Sequence, residues 1–188
     1  QETVEKYLFF PFGHTLFEPY WNRNLADHFD TTVAECLGAA QRGGYYDSAG
    51  ALRDMIPNHF LQLVTLTAME PPVSFEPDAV RDEQTKILHA IQPFTPEDVL
   101  RRTVRGQYGE GEIDGKKVPA YRDEAMIAAH SNTETFAAFK LSLDNWRWAD
   151  VPRYIRTGTR MAANHSSSVS QFTTAPSPDS KSVSKGQR

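Results

Sequence analysis

Cysteine is almost missing: Cys36 stands alone in 188 residues. Neither an internal disulfide framework nor a Cys-rich zinc site can form, and a reducing compartment is expected. Dominance of one charge is missing too. Twenty Lys and Arg against 24 Asp and Glu leave a formal charge of -4 and an isoelectric point near 5.9. That balance offers no broad attraction for nucleic acid or an anionic membrane. Long apolar runs are also lacking. The most apolar stretch, 60–69, is broken by Gln62, Thr65 and Thr67, well short of the roughly 18 apolar residues that cross a bilayer. The start, Gln1-Glu2-Thr3-Val4-Glu5-Lys6, has no basic region followed by an apolar core, so secretion has no support. A cytoplasmic protein with no nucleic-acid or membrane partner is the expectation. The six histidines, at 14, 28, 59, 89, 130 and 165, include no close pair at ligand spacing, and no metal site is expected.

What is present suits one globular domain: 39% hydrophobic and 23% charged residues in a chain long enough to bury a core. In 4–12 the apolar positions 4, 7, 8, 9, 10 and 12 fit a buried helix or a strand equally well. Thr31, Thr32 and Val33 mark a strand over 30–37, ended by Gly38. After Gly43-Gly44, the pattern predicts a helix over 48–69, with Asp47 or Ser48 able to cap its first free N–H groups. At roughly 100° per residue, Ile56, His59, Leu63 and Leu66 fall within about 40° of Leu52 on one stripe. Pro57 lies inside this stretch, removes a backbone donor, and predicts a kink or break. A second helix is predicted over 78–91, with Asp82 placed to support Lys86 four residues on. The capping pattern Thr95-Pro96-Glu97-Asp98 predicts one short turn.

Beyond it the periodicity changes. Residues 99–108 and 133–143 carry β-branched and aromatic residues at strand-like spacing, and the glycines at 109, 111 and 115 suit a hairpin loop. They do not make a nucleotide-binding fingerprint, because Asp114 stands in the place of the third glycine and no helix follows. An α+β fold is expected, with a large, mostly antiparallel sheet and helices packed on one face. From Thr173 onward the sequence turns to Ser, Lys and Pro, so 1–172 reads as the folded part and 173–188 as a disordered tail.

His59 is the first candidate for chemistry, since an imidazole can accept a proton near neutral pH. On pattern alone a packed, hydrogen-bonded histidine outweighs a catalytic one. On the same wheel Asp54 points away from His59, so an uninterrupted helix does not pair them. Glu35, at the end of a predicted strand, can bind a polar ligand or stand exposed. Arg153, Arg156 and Arg160 form a local basic cluster that could hold a phosphate, although a solvated basic edge is the commoner outcome.

Many segments, in order and spacing, carry a resemblance: Leu16-Phe17-Glu18-Pro19, Arg42-Gly43-Gly44-Tyr45-Tyr46-Asp47, Gly50-Ala51-Leu52-Arg53-Asp54-Met55, Asn58-His59, Ala68-Met69-Glu70-Pro71-Pro72, Gly106-Gln107-Tyr108 and Asn145-Trp146-Arg147-Trp148-Ala149-Asp150-Val151-Pro152. From about residue 2 to 164 the chain resembles glucose-6-phosphate dehydrogenase. The resemblance implies part of that family's second domain, an antiparallel sheet with helices on one side that binds sugar phosphate and forms the subunit contact. The family's dinucleotide-binding domain is expected to lie outside these residues, as is its Arg-Ile-Asp-His-Tyr-Leu-Gly-Lys segment, which supplies phosphate ligands.

By the same resemblance His59 is the general base that takes the proton of the anomeric hydroxyl while hydride leaves for NADP. Glu35 and Asp54 match carboxylates that hydrogen-bond the sugar. Glucose 6-phosphate is the implied partner, with a homo-oligomer or pairing with a full-length subunit. Three departures bear on activity: Pro57 stands where the family has glutamine, Thr159 where it has a substrate-binding lysine, and Asn164 where it has an arginine. This chain alone is expected not to turn over; the rival expectation is a non-catalytic dimerisation or sugar-phosphate-binding module.

Overall fold

The computed structural model describes residues 22–39 and 42–173. The segment 4–12, the aromatic residues Phe17, Tyr20 and Trp21, and 174–188 lie outside the described residues. Thr173, expected to open the tail, is held by its N–H and hydroxyl donating to the Leu25 carbonyl at 2.8 and 3.0 Å.

The first strand, β1, is Ala26–Ala34. It begins four residues before the predicted start and ends three before the predicted end. The Glu35 N–H still donates to the Gly158 carbonyl at 2.9 Å, but Cys36 turns its N–H to the Asn164 side chain. Helix α1 is Gly43–Met55, interrupted at Gly50, whose φ of 69° breaks the helical ladder. Buried Glu134 accepts both freed donors: its carbonyl takes the Ala51 N–H at 2.9 Å and its carboxylate the Leu52 N–H at 3.1 Å. Five residues, Ile56–Phe60, then form a π turn before α2, Leu61–Ala68.

This π turn is the form taken by the break expected at Pro57, and it corrects the predicted stripe. A wider turn inserts an extra residue and rotates the downstream helix relative to the upstream one. Met55, Phe60, Val64, Leu66 and Ala68 enter the core, while Leu52, Ile56 and Leu63 are only half-buried and His59 is exposed.

Helix α3 is Pro77–Ala90 and α4 is Pro96–Arg102. Lys86 pairs with Glu83 at 2.6 Å, one turn back, rather than with Asp82. The Thr95–Asp98 capping box closes in both directions and supports two helical turns where one was expected. The segment 99–102, expected as strand, is therefore helix. The remaining strands are β2 Thr103–Gly106, β3 Gly111–Ile113, β4 Lys116–Val118, β5 Phe136–Leu141, β6 Arg153–Gly158 and β7 His165–Phe172. The expected hairpin over 109–115 is β3–β4, turning at Asp114 and Gly115, both with positive φ.

Five strands form one sheet in the order β2-β5-β6-β1-β7. Every neighbouring pair is antiparallel except β1 and β6, which run parallel with Phe29 opposite Arg153 and Ala34 opposite Gly158. The architecture is α+β with a mostly antiparallel sheet. Along β6 burial alternates: Arg153, Ile155 and Thr157 are buried, whereas Tyr154 and Arg156 are exposed. The buried face joins Phe29, Leu141 and Ile155 to Met55, Phe60, Val64 and Leu66 of the helical layer, with Ile87 of α3. Trp148 fastens this core, its indole N–H donating to the Ala68 carbonyl at 2.8 Å and its ring edge-on to Phe29.

Candidate active site

Two parallel strands deliver the loops that follow them to the same edge of a sheet. Here β1 runs into Glu35 and β6 into Thr159 and Arg160, and the two loops are laced together. The Met161 N–H donates to the Glu35 carbonyl at 2.8 Å, the Arg160 N–H to the Leu37 carbonyl at 3.1 Å, and the Cys36 N–H to Asn164 Oδ1 at 2.7 Å. Beside them opens a pocket of about 560 Å3 that includes Glu35, Leu37, Arg42, Asn164 and His165. Glu35 is thereby fixed by its own backbone while its side chain stays 39% exposed.

Asp54 approaches the same place from α1. Its side chain is 18% exposed, accepts a hydrogen bond from the Tyr45 hydroxyl at 3.3 Å, and lies 3.9 Å from Arg42 Nη1. Arg42 Nη2 lies 3.9 Å from Glu35. One guanidinium thus brings together the two carboxylates singled out in the sequence. Arg42 was given no role there and stood only as the first residue of one of the segments that carry the resemblance. His59, on the π turn, is exposed and makes no side-chain hydrogen bond among the described residues.

The basic cluster expected at 153, 156 and 160 is dispersed. Arg153 is buried, Arg156 pairs with Asp30 on the exposed face of the sheet, and Arg160 pairs with buried Glu124. A strand sends alternate side chains to opposite faces, so 153 and 156 part. Burial alone would lower the Arg160 pKa; its hydrogen bond to Glu124, and that carboxylate's charge, outweigh the burial and hold it above the ordinary guanidinium value. Glu124 also accepts the Tyr108 hydroxyl at 2.8 Å.

Thr159 is turned inward. Only 7% exposed, it faces the Tyr46 phenol, whose pKa burial pushes up to about 12; neither hydroxyl completes a hydrogen bond among the described residues. Asn164, in contrast, remains at the pocket but spends its carbonyl oxygen on the Cys36 N–H.

Across residues 8–186 the chain matches the sequence profile of the glucose-6-phosphate dehydrogenase C-terminal domain. It is 47% identical over 178 residues to glucose-6-phosphate 1-dehydrogenase of Aggregatibacter actinomycetemcomitans, covering 95% of this chain and 36% of that protein. The same enzyme of Mycolicibacterium smegmatis is 49% identical over 178 residues, with the same coverage. A solved glucose-6-phosphate dehydrogenase in complex with its substrate glucose-6-phosphate superposes with a TM-score of 0.81 at 37% identity, covering 94% of this chain and 35% of that one. The Mycobacterium avium glucose-6-phosphate 1-dehydrogenase gives a TM-score of 0.77 at 32% identity, covering 92% of this chain and 36% of its own. The chain spans about a third of the length of these relatives. Together the sheet, the laced loops and these matches place the chain in the glucose-6-phosphate dehydrogenase family, within its C-terminal domain.

Proposed function

We propose that these residues are the sugar-binding part of an NADP-dependent glucose-6-phosphate dehydrogenase of the oxidative pentose phosphate route. It oxidises glucose 6-phosphate to 6-phosphogluconolactone in the cytoplasm as a homo-oligomer or paired with a full-length subunit. The partial domain of this reading is 1–172, with Thr173 bonded to it through the Leu25 carbonyl. The observation that carries the reading is the convergence of Glu35 and Asp54, from a strand end and a helix, on one guanidinium beside an open pocket. Two carboxylates so held can accept hydrogen bonds from sugar hydroxyls, and such charge-assisted bonds are strong.

His59, exposed on its π turn, is free to accept the anomeric proton once substrate lies against it. The chemistry NADP supplies is hydride acceptance. The glycines near 109–115 form a hairpin and offer its phosphates no cradle at a helix start. As these 188 residues alone the chain does not turn over.

The test is a chimera in which these residues replace the matching third of the Zymomonas mobilis enzyme, itself 49% identical over 176 residues. Glucose 6-phosphate-dependent reduction of NADP is expected. His59→Gln lowers the rate by about 10²- to 10⁴-fold, the range for loss of a general base, with substrate affinity kept. A chimera as active with glutamine at 59 as with histidine refutes the assignment.

A further inference from the structure

Two acidic side chains brought to one cation repel each other and resist an anionic ligand. Glu35 and Asp54 do so with Arg42 between them, its two terminal nitrogens each 3.9 Å from a different carboxylate. Those distances exceed a hydrogen bond, and the Arg42 side chain is 55% exposed. It therefore acts through charge and orientation and retains its capacity to tighten.

Among the described residues lining the pocket, Arg42 is the one arginine or lysine. Neighbouring cations are committed elsewhere. Arg160 is bound to Glu124, Arg156 to Asp30 across the sheet, and Arg153 is sealed in the core. Thr159 is buried against Tyr46, and Asn164 is engaged by Cys36.

We infer that Arg42 is a positioning residue for the sugar. Its guanidinium screens Glu35 from Asp54 and holds them as a pair, so that both can accept from the hydroxyls of one pyranose ring while the phosphate is recognised elsewhere. This deepens the proposed function and rests on that reading of Glu35 and Asp54. The ligand class recognised through Arg42 is thus the polyhydroxyl face of a hexose, and the contribution of Arg42 is independent of the phosphate. A planar, two-pronged cation suits two carboxylates at once, as a lysine ammonium does not in the same degree.

The chain, isotopically labelled, is titrated separately with glucose 6-phosphate, glucose and inorganic phosphate, following the backbone amides of 33–37, 42 and 164–166. The proteins compared are the chain as it stands, Arg42→Gln and Arg42→Lys. Arg42→Gln is expected to weaken glucose and glucose 6-phosphate by the same factor, about three- to tenfold, as for one charge-assisted contact at a partly exposed site. The response of the amides to inorganic phosphate is the same in Arg42→Gln as in the parent, and Arg42→Lys recovers part of the sugar affinity.

If Arg42→Gln weakens glucose 6-phosphate and inorganic phosphate but leaves glucose untouched, the guanidinium contacts the phosphate and the positioning role is overturned. Unaltered affinity for both sugars in Arg42→Gln overturns it as well, with the sugar site intact. A well-dispersed spectrum of the unsubstituted chain that neither sugar moves overturns the sugar-site reading itself, and with it this inference.

Discussion

Arg153 occupies a position that the sheet assigns to a hydrophobic residue, and replacing it tests the energetics of the whole core. Its side chain is 3% exposed, and Nε and Nη2 have no hydrogen-bond partner among the described residues; Nη1 makes one long bond, 3.4 Å, to the Thr67 hydroxyl. Burial, reinforced by the like charge of Arg147, pushes its pKa down to about 9. What compensates is aromatic: the guanidinium carbon lies 4.0 Å from the centre of the Phe29 ring and 5.1 Å from that of Trp148.

Two unmet nitrogens cost about 1–3 kcal/mol each. Desolvated cation–π contacts return about 2 kcal/mol apiece. Methionine keeps an unbranched apolar side chain in this buried place, removes the unmet donors, and offers sulfur–aromatic contact to the same rings. Arg153→Met is therefore expected to stabilise the chain by about 1–3 kcal/mol, in line with other replacements of buried charge by apolar groups. Urea unfolding measures this directly, with the midpoint raised and the slope unchanged. Arg153→Ala is the control. It also relieves the charge but leaves a cavity where the buried side chain lay, so it should be less stable than the methionine variant by about 2–4 kcal/mol. A methionine variant less stable than the parent by more than about 1 kcal/mol would show that the guanidinium is satisfied, and the reasoning would fail.

Gly50→Ala should destabilise by about 2 kcal/mol or more, because φ is +69° and an added Cβ would stand 2.5 Å from Glu134 Oε1, the atom that accepts the Leu52 N–H; thermal unfolding reads the loss. The Asp47 carboxyl is held below its ordinary pKa, first by the Ser131 hydroxyl and then by Tyr121 and the Ala128 N–H. A carboxylate lowered on folding contributes stability above its unfolded pKa and loses it as pH falls through the folded one. The parent should therefore lose stability below about pH 4, and Asp47→Asn should flatten that part of the pH–stability curve. Thr95→Ala removes half of the capping box and should cost about 1 kcal/mol, seen as faster amide exchange at the start of α4.

Local sequence signals specified the elements well where one residue type has one use. Pro57 announced the break, Thr95 and Asp98 the cap, and the glycines at 111 and 115 the hairpin. Boundaries failed where a distant partner or a neighbouring cap decides them: β1 starts at Ala26 because β7 pairs with it there, and 99–102 is helix because the Thr95–Asp98 cap outweighs a β-like composition. In the candidate site, Glu35 and Asp54 were singled out by resemblance, whereas Arg42 stood only as part of a matching segment.

The sequence by itself determined the family, through the order and spacing of its matching segments, and the α+β composition, because periodicity, capping and turn chemistry act over a few residues. Only the tertiary structure decided which side chains meet. The contact between Cys36 and Asn164 spans 128 residues, and the pairing of β1 with β6 brings their loops to one edge. The π turn puts His59 outside the stripe a regular helix would give it, and strand alternation buries Arg153 while exposing Arg156. Such outcomes depend on register and on the order of strands, which local preference leaves open and packing of one shared core fixes.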